Sequence, residues 1–183
     1  MASRADEEHG VVVSPGPRPW QKYDRLASSY DARWAKYVRV SIERTIEHVA
    51  VRPGQTVLDV GCGTGQFLAA LDAKAHGARL LGADPSARML DSARSRLDRA
   101  VGLTRCTAEA LAIESASVDW LITTNMFHYV RDAQAARREF RRVLRPGGTL
   151  VLTDWCDDFR VMRWRARWAT ASRTCARRPA SRW

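Results

Sequence analysis

Val57-Leu-Asp-Val-Gly-Cys-Gly-Thr-Gly65 decides how the chain is read. A short apolar run, Thr56 to Val60, enters three glycines at alternate positions, and a helical pattern opens at Gln66. Alternating glycines let the backbone turn sharply and approach a ligand, and a helix starting there points its N–H groups toward it. Such a loop alone is a weak signal. Here the next strand, Arg79 to Asp84, ends in an acid. In a doubly wound sheet that carboxylate stands beside the loop, where it can accept hydrogen bonds from ribose hydroxyls. The plain alternative is a set of turn glycines plus a helix-capping Asp. Strand, loop, helix and acid agree in order and spacing, which favours a nucleoside ligand.

Two details narrow that ligand. Gln66 stands where the dinucleotide fingerprint Gly-x-Gly-x-x-Gly requires its third glycine. An acid, Asp59, lies two residues before the first glycine and would repel a phosphate. It suits a ligand with a cationic amino group and no pyrophosphate. No Lys-Ser/Thr pair follows the loop, so a nucleoside triphosphate site is not expected.

Outward from the loop the chain alternates. Gln21 to Ala50 carries Trp34, Val38, Ile42, Ile46 and Val49 at helical spacing, and Pro53-Gly54 stops it. After Asp84, Ser86 to Arg99 reads as a helix and Leu103 to Cys106 as a weak strand. Val118 to Thr124 is a stronger strand, Asp132 caps a helix running to Leu144, and Arg145-Pro-Gly-Gly148 turns into a strand from Thr149 to Asp154. This predicts an α/β fold: a Rossmann-like, doubly wound, mainly parallel sheet of about five strands with helices on both faces. No strand is expected after Asp154.

The formal charge of +10 is unevenly held. Eight of the 30 basic residues are arginines between Arg160 and Trp183, a stretch with no acid, so 22 bases face all 20 acids in the rest. The body is near neutral and the tail is basic. No apolar run nears the roughly 20 residues that span a bilayer. The start does not read as a secretory signal, which with reduced thiols makes the cytoplasm the expected location. Cys62, Cys106, Cys156 and Cys175 form no Cys-x-x-C pair, and no metal site is expected.

The first motif resembles that of class I S-adenosylmethionine-dependent methyltransferases. Gly82-Ala-Asp-Pro-Ser86, Ala108-Glu-Ala-Leu111, Val118-Asp-Trp-Leu121 with Asn125-Met-Phe-His128, and Val143-Leu-Arg-Pro-Gly-Gly148 follow in that family's order. The type 11, ubiquinone-biosynthesis-like small-molecule branch is the nearest resemblance, with Tyr23-Asp24 and Tyr30-Asp31 matching its N-terminal helix. The resemblance implies S-adenosyl-L-methionine as cofactor. It places Gly61, Cys62, Gly63 and Gly65 against the methionine part, with Asp59 orienting that loop and meeting the amino group. It gives Asp84 and Pro85 the ribose side, Ala108 and Glu109 the adenine, and Asn125 the sulfonium end, with Tyr30 covering the site. Glu109 reads equally well as a solvated loop acid, and Tyr30 as ordinary helix packing.

Methyl transfer from a sulfonium is an in-line displacement, for which the protein mainly positions the partners. A general base is needed only when the acceptor must lose a proton, and His128 is the one candidate. A lone His in such a loop is also commonly structural. The division expected is a mobile leader (1–19), a methyltransferase domain (20–158) and an Arg/Trp-rich tail (159–183). The family continues with a helix and a strand pair where this chain changes composition near Arg160, which reads as truncated or altered sequence. The expected partner is a small-molecule methyl acceptor. A cofactor-binding remnant without catalysis is a second reading. A third is a nucleic-acid methyltransferase, or a protein docked on an anionic surface, using the tail. The charge being confined to the tail weighs against the third.

Overall fold

The structure is a computed structural model that describes residues 20–154 and the backbone of Met162–Arg165. The expected leader, and the tail on which the nucleic-acid reading rests, lie outside these residues apart from that short backbone segment. A long helix α1 (Trp20–Ile46) precedes β1 (Thr56–Val60), α2 (Gln66–Asp72), β2 (Arg79–Ala83), α3 (Ala87–Arg96) and β3 (Gly102–Thr104). Then come β4 (Val118–Thr124), a 3-10 turn at Phe127–Tyr129, α4 (Ala133–Val143), β5 (Leu144–Thr153) and β6 (Met162–Arg165).

The strands form one sheet in the order β3-β2-β1-β4-β5-β6. The pairs from β3 to β5 are parallel, as helical crossovers require, and β6 runs antiparallel to β5. The expectation of no strand after Asp154 is therefore corrected. Thr149 to Leu152 pair with Arg165 to Met162, so the outer side of β5 carries a backbone ladder. Pairing of this kind needs only peptide groups, which an arginine-rich stretch supplies as well as an apolar one. The doubly wound sheet stands, with one strand more than expected.

The Arg145-Pro-Gly-Gly148 turn is absorbed into β5 as a register break: Leu144 pairs with Val118, and pairing resumes between Trp120 and Thr149. Gly147 there has φ +83, a conformation side chains rarely adopt.

Alternation along the central strand divides the core. Val57 packs with Val38, Ile42, Leu68, Leu90 and Ile122 on the face covered by α1, α2 and α3. Leu58 and Val60 pack with Leu121, Phe140 and Val143 on the α4 face. Each such side chain removed from water contributes roughly 1.5–3 kcal/mol. All five residues of β1 are buried, as befits a strand flanked on both edges and both faces. Asp59 is thereby carried into the interior. Helix α4 starts as expected, with the Asp132 carboxylate accepting from the N–H groups of Gln134 and Ala135 at 2.9 Å.

Candidate functional site

The carboxyl ends of β1, β2 and β4 open into a cleft, the place where an open α/β sheet binds its ligand. Its empty space, mouth included, is about 790 Å³, within the usual range for a small-molecule site. Gly61, Gly63, Asp84 and Pro85 line it on one side, Ala108 and Glu109 on another, and Asn125 and Tyr30 close it. Eight residues expected from sequence are thus brought together. Asp59, Cys62 and Gly65 are not on the wall: Asp59 is buried in β1, the Cys62 sulfur faces Gly82, and Gly65 packs against Leu97.

The loop is tied to the end of β2. The N–H groups of Gly61 and Cys62 both donate to the Ala83 carbonyl, at 2.7 and 3.1 Å. The Gly63 N–H donates to Asp84 Oδ2 and the Ser86 N–H to Asp84 Oδ1, each at 2.9 Å. The three glycines all have positive φ, yet they serve different ends. A Cβ on Gly61 would stand 2.3 Å from Met126 Cγ, and one on Gly65 2.8 Å from Leu97 Cδ1. A Cβ on Gly63 would meet nothing within 4 Å. Two of the glycines are packing requirements, and the third leaves open space.

Asp84 is 8% exposed and its carboxyl is pushed up to about 6. Burial raises it, the Ser86 and Gly63 N–H groups oppose that, and Asp24 adds repulsion. Each of its oxygens keeps acceptor capacity beyond these bonds. Asp59, 1% exposed, is pushed up to about 8 by desolvation and then by Asp84. Its Oδ1 is buried with no hydrogen-bond partner among the described residues. Such an atom is costly unless a ligand or solvent reaches it. Burial keeps Cys62 a thiol, packed toward Gly82.

Other expected residues have structural partners. Glu109 Oε1 accepts from the Arg131 N–H at 3.0 Å, linking the loop after β3 to the segment before α4. Asn125 sits at φ +54 and its Oδ1 accepts from the Tyr37 hydroxyl at 2.6 Å. His128 does not line the cleft. Its Nδ1 lies 2.5 Å from Asp154 Oδ1, and its N–H donates to Asp154 Oδ2 at 2.7 Å. A carboxylate only accepts, so Nδ1 is the ring nitrogen that donates to it.

Sequence reasoning missed what α1 does with its acids. Asp31 Oδ1 accepts from Thr64 Oγ1 and Gln66 Nε2, both at 2.7 Å, and the carboxylate pairs with Arg96. Burial opposes ionisation of Asp31, but the bonds from Thr64, Arg96 and Gln66 win and hold its carboxyl below the ordinary value. Asp24 accepts from the Ser86 hydroxyl at 2.5 Å. Trp20, Tyr23 and Tyr129 were likewise missed as part of the cleft wall. The available signal was the Tyr-Asp pair repeated seven residues apart, which puts both pairs on one helix face.

A methyltransferase-domain family matches residues 58–152, which hold the glycine loop, Asp84, Glu109, Asn125 and β4. The chain belongs to the class I S-adenosylmethionine-dependent methyltransferases. Over 150 residues, 79% of the chain and 42% of the relative, it is 36% identical to a 37.1 kDa protein in transposon Tn4556 of Streptomyces fradiae. It is 33% identical to the malonyl-[acyl-carrier protein] O-methyltransferase of Methylovorus sp. MP688, over 73% of the chain and 48% of that protein. The chain therefore spans less than half the length of these two relatives. Among solved structures, a SAM-dependent methyltransferase from Thermotoga maritima superposes with a TM-score of 0.60 at 27% identity. That match covers 73% of this chain and 60% of the other. The methyltransferase fold seen here has no described helix long and apolar enough to cross a membrane. Among the described residues no cluster of His, Cys, Asp or Glu is set up to hold a metal.

Proposed function

We propose that this methyltransferase domain binds S-adenosylmethionine in the cleft at the ends of β1, β2 and β4 and passes its methyl group to a small-molecule acceptor by in-line displacement. The cofactor supplies an activated methyl group, so the chain's residues need only bind, orient and exclude water. The residues present suit it. Open space at Gly63 leaves room for a ligand against the backbone, and the partnerless Asp59 Oδ1 suits an amino group reached directly or through water. Asp84 would take the ribose hydroxyls, with Pro85 beside it. Ala108 and Glu109 would flank the adenine, and Gly61 and Gly63 the methionine part. Cys62 and Gly65 would anchor the loop through their packing on Gly82 and Leu97, Asn125 would face the sulfonium end, and Tyr30 would cover it.

The observation that carries this reading is Asp84, with Oδ2 held by the Gly63 N–H of the glycine loop and Oδ1 by the Ser86 N–H at the start of α3. His128, with Nδ1 committed to Asp154, is a base for acceptors that must lose a proton. The reading is tested by calorimetry with S-adenosylhomocysteine and S-adenosylmethionine, with Asp84→Ala as control. Binding that drops at least 30-fold in the variant is expected. No binding to folded protein, or an unaffected variant, would overturn it. Binding without turnover on any extract would leave a cofactor-binding domain without catalysis.

A further inference from the structure

One wall of the cleft carries three rings that the cofactor roles above do not use, beside Tyr30, which those roles set over the sulfonium end. Trp20, Tyr23 and Tyr129 line it together with Tyr30. Tyr23 stands nearly perpendicular to both tyrosine neighbours: 67° to Tyr30 at 5.8 Å between centroids, and 76° to Tyr129 at 5.3 Å. A hydrogen bond from the Tyr23 hydroxyl to the Tyr129 hydroxyl fixes the second pair across 106 residues of chain. Edge-to-face rings from two separate elements thus stand together on one wall of the cleft, and a ring face turned to the cleft attracts a cation.

The charges nearby have the same sign preference. Asp84 and Glu109 line the cleft, and no Lys or Arg does so among the described residues. Burial without a cation at hand is also what raises Asp59 and Asp84. A phosphate or carboxylate acceptor would find no counter-charge on this wall. A positively charged nitrogen would find a cleft without a competing cation and aromatic rings on its wall.

We infer that the ring wall formed by Trp20, Tyr23 and Tyr129 is the acceptor subsite, and that the acceptor is an aliphatic amine that binds as its ammonium ion. This rests on the methyl-transfer reading above. The chemistry balances with the sulfonium donor alone. The ammonium loses one N–H proton, and its nitrogen lone pair forms the new N–CH3 bond. The S–CH3 bond breaks with its electron pair left on sulfur, giving a neutral thioether and an N-methylated ammonium. The proton has a nearby recipient: the His128 ring lies 3.9 Å from the Tyr129 ring, between centroids.

The test compares choline with 3,3-dimethylbutan-1-ol, which has the same shape without the charge. Each is titrated into the full chain by calorimetry, with and without saturating S-adenosylhomocysteine. Choline is expected to bind about tenfold tighter than the neutral isostere. The preference should persist in Tyr129→Phe and Tyr23→Phe, which keep the rings, and vanish in Tyr129→Leu and Tyr23→Leu. Equal affinities, or binding of neither probe, overturn the inference. So does loss of S-adenosylhomocysteine affinity in the Leu variants without any choline preference in the wild type, which would give the rings to the cofactor. The isostere comparison needs no variant, so a misfolded mutant does not shield the idea. Failure of S-adenosylhomocysteine to bind sinks the underlying reading separately, while choline titrated into the free protein still tests the ring wall.

Discussion

Thr64, at the centre of the glycine loop, donates its hydroxyl to Asp31 of the first helix at 2.7 Å. The same carboxylate oxygen accepts from Gln66, the first residue of α2, and the other pairs with Arg96 at the end of α3. One side chain thus ties α1 to the loop and to two further helices. Hydrogen bonds to charged groups contribute about 1.5–3 kcal/mol each. Asp31 is part-exposed, which places the whole cluster near the low end. Asp31→Ala is expected to lower S-adenosylhomocysteine affinity about tenfold by freeing the loop, with Asp31→Asn intermediate. Unchanged affinity in both would mean the loop holds its shape without α1.

Asp59 gives a pH signature. Its carboxyl rises from the ordinary 3.8 to about 8 in the fold. Between those values the folded state binds more protons than the unfolded chain, so stability falls as pH rises through that window. Asp59→Asn cannot ionise and loses this slope. Its stability relative to wild type should therefore grow from pH 4.5 to 8, by at most about 1.4 kcal/mol per pH unit. Urea unfolding across that range measures it, and parallel curves would refute it.

The glycines separate packing from binding. Gly65→Ala adds a methyl 2.8 Å from Leu97 Cδ1 at φ +78 and should cost about 2–4 kcal/mol of stability. Gly63→Ala meets no atom within 4 Å, so only the backbone strain of about 1–2 kcal/mol remains. That variant should fold yet lose most of its cofactor affinity, because its methyl enters the open space. Thermal melts with and without S-adenosylhomocysteine distinguish the two. Equal behaviour of both variants would contradict the division of roles.

His128→Ala should lower turnover about 100-fold or more if it takes the acceptor's proton, with S-adenosylhomocysteine affinity unchanged. Asp154→Asn should follow it and shift the pH profile, since Asp154 holds the Nδ1 proton. Wild-type turnover in His128→Ala would remove the base role.

Much of the frame was legible because it rests on local signals. Val118 to Thr124 reads as a strand from its apolar run, and Asp132 reads as a cap from its place before a helical pattern. The glycine loop and Asp84 were legible because strand order alone sets them side by side. The Asp31 contacts were not, since periodicity says which helix face is apolar but not which loop an acid on that face will meet. Asp154 as the partner of His128 was equally hidden. The two lie 26 residues apart and meet because β4 and β5 end in register, Thr124 opposite Thr153. Strand β6 escaped notice although Met162-Arg-Trp-Arg165 alternates apolar and basic residues: within so arginine-rich a stretch the composition hid the period of two.

Helix α1 is 27 residues long, about 40 Å of rigid rod. From that rod hang Asp24 on Ser86, Asp31 on Thr64, Tyr23 on Tyr129 and Tyr37 on Asn125. Four attachments on one stiff body cannot let go one at a time without straining the rest. The same rod sinks Val38 and Ile42 into the core, so the wall beside the cleft is as firm as the fold itself.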